Sequence, residues 1–137
     1  MKKIIGALGL TTTFLALQVA PIFADSVGDH LHAAQTAASV VANELHLAAT
    51  SSTLGDIDLH TNQAMDHLTT AEMELLQAKS ASGSMVQIAM INFVLQMASY
   101  LRMLAHTTLS SPVSLKHYRA QMTWLYGHEF HHQIMRL

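Results

Sequence analysis

The chain has 137 residues, of which 50% are hydrophobic and 12% charged, with ten His and no Cys. Nine acidic against seven basic residues give a net charge of −2 with His neutral, which argues against the basic patch that nucleic-acid binding requires. Without Cys there are no disulfides, no c-type haem attachment, no lipoprotein anchor and no thiolate metal site, so any metal chemistry must use His, Met, Asp and Glu.

Met1-Lys2-Lys3 precedes an uncharged apolar run from Ile4 to Ala20, and Pro21-Ile22-Phe23-Ala24 then leads to Asp25. A positive start, an apolar stretch and a small residue at the junction are the layout of a secretory signal peptide. The run, about 17 residues, is at the lower limit for spanning a bilayer. Cleavage after Ala24 is therefore expected, with 1–24 as signal peptide and 25–137 as the exported domain, periplasmic or secreted. The remaining 113 residues would carry five Lys/Arg against nine Asp/Glu, net −4, and suffice for one domain with one core.

Four helices follow from punctuation and period. Ser26 with Asp29 is a capping box opening a first helix, along which Ala33, Ala34, Ala37, Val40, Val41, Leu45 and Ala48 recur at three and four. Ser51-Ser52-Thr53 ends it. Thr53 with Asp56 opens a second, whose apolar side is expected to hold Leu59, Met65, Leu68, Leu75 and Leu76. Ser80-Ala81-Ser82-Gly83 is a break. Ser84 with Gln87 opens the third, from Met85 to about Thr108, and Ser110-Ser111-Pro112 closes it and starts the fourth, since Pro suits a first helical turn. Gly127 in that last helix is expected to cost roughly 1 kcal/mol relative to Ala. Nothing alternates with period two for long enough to be a strand. The expected fold is an all-α, up-down-up-down four-helix bundle.

The third helix is apolar almost throughout, with Asn92, Gln96, Ser99 and Arg102 as its polar stripe. Those residues argue against a membrane span, and its breadth of apolar surface suits a homodimer face as well as a core. Met85, Met90, Met97 and Met103 are expected as core filler.

His32, Ser39 and His46 lie seven apart on the first helix, and His60, His67 and Glu74 seven apart on the second, so each set draws one stripe. A turn near residues 52–54 would pair positions whose numbers sum to about 106, setting His46 level with His60 and His32 with Glu74. The same folding-over gathers His46, His60, His106 and His117 at one end of the bundle. It gathers His30, His32, Glu74, Met85, Met90, His128, His131, His132 and Met135 at the other, with His67 between.

The segment Asp58-Leu59-His60 through Ala64, His67-Leu68 and Ala71 resembles the small metal-binding proteins of bacterial periplasms, over about 45 residues from Asp29 to Ala78. That resemblance implies a His-rich four-helix bundle that buffers copper and other divalent ions, with His32, His46, His60 and His67 as ligands. The family is richer in His and nearly free of Met, Phe and Trp, and the half from Met85 onward departs from it.

The densest candidate site is His128-Glu129-Phe130-His131-His132, with Met135 three residues on. Imidazole is the commonest ligand for copper, nickel and zinc, and residues three and four apart share a helix face. The run also spells H-E-x-x-H, the zinc-protease pattern, but that chemistry needs a third ligand and a cleft, and no enzyme is expected. One helix supplies at most two or three ligands, so His32, beside the fourth helix's end, is expected to complete a site with His128 and His132, supplemented by Glu129 or Met135. The expected function is metal binding (copper, nickel or zinc) for buffering, storage or sensing. Two alternatives stand beside it: a b-type haem bundle with His106, one turn after Met103, and His67 as candidate axial ligands, and an interaction module anchored by the third helix with Tyr118, Trp124, Tyr126 and Phe130.

Overall fold

The computed structural model describes residues 26–137, so the expected signal peptide and its junction at Ala24 lie outside the described residues. It is an all-α four-helix bundle: α1 is Val27–Thr50, α2 Leu54–Ala81, α3 Met85–Leu109 and α4 Val113–Ile134, with no strand among the described residues. Each start is fixed by local chemistry. The Ser26 hydroxyl accepts the Asp29 N–H while the Asp29 carboxylate accepts the Ser26 N–H, and these bonds lower the Asp29 pKa. The side chains of Thr53 and Ser84 accept the N–H groups of Asp56 and Gln87. Pro112 starts α4 with no side-chain cap. α2 runs through Ser80 to Ala81, past the first residues of the expected break.

The core is small residues interleaved with large ones. Ala34, Ala38, Ala64, Ala71, Ala78, Ala98, Ala105 and Ala120 let the backbones approach, and Leu45, Leu68, Leu75, Ile91, Leu101, Phe130 and Ile134 fill the space between. Each large side chain contributes about 1.5–3 kcal/mol by leaving water.

The helices pack around in chain order, with α4 closing against α1 and touching α2 across the middle. α1 and α2 are joined by His30 to Glu74 and by Glu44 to His60, numbers summing to 104 rather than the expected 106. Arg102 of α3 binds Glu72 and Thr69 of α2. The hydroxyls of Thr108 and Thr123 meet at 2.9 Å between α3 and α4. Gln35 of α1 donates to the Ile134 carbonyl of α4, and buried Lys116 of α4 reaches Asp58 of α2.

α1 and α2 prove to be related by a shift of thirty residues. Buried Leu31, Ala34, Ala38, Val41, Leu45 and Ala48 correspond to buried Thr61, Ala64, Leu68, Ala71, Leu75 and Ala78. The same shift carries His30 onto His60 and Glu44-Leu45 onto Glu74-Leu75. Two like helices packed antiparallel make a local two-fold, so one His–Glu contact implies the other.

Several expected core residues lie outside. Leu59 is 50% and Leu76 53% exposed, because the second helix turns Ile57, Thr61, Ala64 and Ala71 inward instead. Of the four methionines expected as filler, only Met97 is buried; Met85, Met90 and Met103 are exposed. Val40 and Ala33 are half-buried.

Candidate functional site

The imidazoles fall on two seams. On the α1–α2 seam, His60 Nδ1 lies 2.6 Å from Glu44 Oε1 and His30 Nδ1 2.7 Å from Glu74 Oε1. Both pairs are half-buried. A carboxylate accepting from Nδ1 fixes the ring and its tautomer, leaving Nε2 of His60 as the lone-pair nitrogen, the arrangement that orients metal-ligating imidazoles. The sequence places His30 only among the residues gathered at one end of the bundle, and Glu44 carries no expectation there. The signal that finds them is the thirty-residue shift, since His30…Glu44-Leu45 and His60…Glu74-Leu75 share one spacing.

The α1 stripe of His32, Ser39 and His46 does not turn toward α2. His46 stacks on Trp124 of α4, ring centroids 4.9 Å apart and tilted 43°, and Gln35, three residues after His32, also reaches α4. On α4 the matching stripe is His117, Trp124 and His131, again seven apart, and His117 Nε2 lies 3.0 Å from the Ser51 carbonyl. The α1–α4 seam therefore runs between two heptad stripes, with Ser39 level with His131. His128, four residues beyond Trp124, flanks that seam. His46 and His117 make contacts across it, His32 and His131 continue the two stripes, and His128 and His132 are the neighbours of His131 on α4.

Their burial differs. His131 is half-buried, and His32, His46, His117, His128 and His132 are exposed. Burial first, then the neighbouring charges of His128 and His132, hold the His131 pKa below the ordinary value, which keeps it neutral and able to ligate. Glu129 accepts a hydrogen bond from Gln133 at 2.7 Å, and Met135 is 53% exposed.

Among the described residues no three His, Asp or Glu side chains come close enough to hold one ion. The expected grouping of His32 with His128 and His132 is thus not assembled. Of His30 and His32, two residues apart on α1, His30 is the one turned inward, because it meets Glu74, and His32 is exposed. His67 and His106 are both exposed, so neither of the histidines considered as axial haem ligands enters the core. Phe130, expected as part of an anchor face, is fully buried in the bundle, and Trp124 and Tyr126 are half-buried on opposite flanks of α4.

Comparison with family models, with curated proteins and with solved structures finds no match to this chain. The likeness to the small metal-binding proteins rests on the quoted residues alone.

Proposed function

We propose that the protein is an exported, His-rich bundle of up-down-up-down course that binds divalent transition metal ions, copper, nickel or zinc, in a buffering, storage or sensing role. The observation that carries this reading is the alignment of imidazoles along the α1–α4 seam, with half-buried His131 kept neutral between His128 and His132.

The chemistry suits exchange rather than permanent capture. A structural site encloses its ion with four protein ligands. Here each locus offers one or two imidazoles on exposed, rotatable side chains, with water or a second ligand left to complete the shell. Such sites load and release easily. His60, oriented by Glu44, supports a separate locus on the α1–α2 seam.

The test is metal analysis of the purified protein, then titration with copper, nickel and zinc at pH 7.5. The double substitution His128→Ala with His132→Ala is expected to remove the highest-affinity site, and binding is expected to weaken as pH falls through about 6.5, where imidazole protonates. If the tightest site survives the double substitution intact, the C-terminal cluster is a solvated helix end.

A further inference from the structure

α3 carries two heptad stripes and the bundle uses one of them. Ile91, Val94, Ala98, Leu101, Ala105 and Thr108 recur at three and four and are buried. On the outer side, Val86, Ala89, Phe93, Gln96, Tyr100, Met103 and Thr107 also recur at three and four, and all but half-buried Thr107 are exposed. This is the a/d pattern of a helix–helix seam, flanked on one side by α4, where Tyr100 meets Tyr126 edge-on and Gln133 lies beside Ala89 and Phe93. α3 is long and apolar enough to cross a membrane, yet only 33% of its most apolar stretch is buried.

The surface continues onto α4, where Leu115, Tyr118, Met122 and Leu125 are 40–61% exposed. Counting about 200 Å² for a whole aromatic side chain, the combined face exposes on the order of 800 Å² of apolar surface. That exceeds the largest patch of an ordinary monomer and equals what each partner buries in a standard stable interface.

We infer that this face pairs with a second copy of the chain, α3 lying antiparallel on α3 about a two-fold axis at Gln96. The stripe is close to palindromic about that residue. Phe93 falls opposite Tyr100, ring against ring, Ala89 opposite Met103, small against large, and Val86 opposite Thr107, two β-branched residues. Gln96 meets its own copy, and its amide both donates and accepts, so the two side chains satisfy each other; a single polar residue in such a seam sets its register. The self-pairing is an isologous contact of the kind that closes a dimer. α3 itself brings no free charge to the contact, because its one formally charged residue, Arg102, is bound to Glu72 within its own bundle, and the rim carries Arg136 beside Val86 and Phe93 and Glu129 beside Tyr100. Met85 and Val86, 79% and 71% exposed, gain cover against the facing copy's Tyr118 and Met122. A membrane surface is the poorer occupant: the face has no Lys/Arg cluster along its rim, and Glu129 stands beside Tyr126 at its edge.

The test is sedimentation equilibrium of the protein purified from expression of the full chain, with EDTA present so that bridging metal plays no part. At about 50 μM, above the micromolar limit for interfaces of this size, the expected mass is twice that of one chain. Phe93→Glu with Tyr100→Glu should halve it, with circular dichroism unchanged because both side chains are half outside the fold. The chain has no Cys, so Gln96→Cys supplies a single thiol at the axis; mild oxidation should link most of it into a covalent dimer, whereas Asn62→Cys on the outer face of α2 should stay monomeric. A monomeric wild type, or a dimer that the paired Glu substitutions leave intact, overturns the inference. So does a wild type that stays monomeric in solution but binds phosphatidylcholine/phosphatidylglycerol vesicles through the same side chains.

Discussion

Leu45 Cδ1 occupies the space in which a side chain on residue 127 would begin. A Cβ there would overlap it, with Leu101 Cδ1 and Leu45 Cγ at 3.7 Å. Gly127 is buried on the inner face of α4, so its lack of a side chain is what lets α4 lie against α1. Overpacking a filled core costs about 1–3 kcal/mol, against about 1 kcal/mol gained in helix propensity. Gly127→Ala is therefore expected to lower stability by about 1 kcal/mol in urea unfolding. In a Leu45→Ala background the clash is gone, and the same substitution should become neutral or stabilising.

Gly127 also marks where the sequence was legible and where it was not. Spacing located it in a helix and assigned it a propensity cost, but a close approach between helices is a pairwise fact that one helix's pattern does not contain. The caps at Ser26, Thr53 and Ser84 were readable because capping chemistry spans three residues. Helix rotation was not: the stripe of His32 and His46 has the same spacing whether it faces α2 or α4, and the register, shifted by two from the expected sum, gave the α2 contacts to His30 and Glu44 instead. The site suffered most, since moving a ligand from one seam to another takes only a modest turn of α1.

The His131 imidazole makes stability depend on pH. Its native pKa lies below the ordinary value, chiefly through burial, then through His128 and His132. The unfolded chain, with a pKa of about 6.5, binds this proton more readily. The contribution is thus whole above about pH 6.5 and is lost as pH falls through the lower native value. In metal-free buffer the protein should lose stability over that window, and His131→Gln should flatten the slope. Proton NMR titration should show the His131 pKa moving up toward the ordinary value in His128→Gln with His132→Gln; no movement would mean the neighbours do not act on it.

Lys116 is 7% exposed and its ammonium donates to Asp58 at 2.9 Å and to the Leu109 carbonyl at 2.8 Å. Removing one partner of such a pair leaves a charge without its counterion, whereas replacing the charge with an apolar side chain of similar shape is often neutral. Asp58 is 44% exposed on its side chain, so water replaces part of what it gives. Asp58→Ala is expected to cost about 1 kcal/mol, and Lys116→Met less than that. Equal losses in thermal unfolding would mean that the ion pair itself, rather than the cost of stranding the ammonium, holds α4 to α2, since Met keeps most of the Lys stem.

Thr61, Thr108 and Thr123 are all buried but not equivalent. Thr108 and Thr123 bond to each other and to helix carbonyls, so their hydroxyls are satisfied at the α3–α4 seam. Thr61 Oγ1 is buried with no hydrogen-bond partner, at the position of α2 that corresponds to Leu31 of α1. A buried hydroxyl without a partner keeps its desolvation cost, about 1–3 kcal/mol. Val has nearly the same shape and the same χ1 preference in a helix, so Thr61→Val exchanges the hydroxyl for a methyl without altering the packing. It is expected to raise stability by about 1 kcal/mol, while Thr108→Val, which removes the Thr108–Thr123 bond and leaves Thr123 only its helix carbonyls, should lower it by about 0.5–1.5 kcal/mol. Urea unfolding of the two variants checks both signs. A loss at Thr61→Val comparable to that at Thr108→Val would show that the Thr61 hydroxyl is bonded in solution, by a water or by the Ile57 carbonyl one turn earlier.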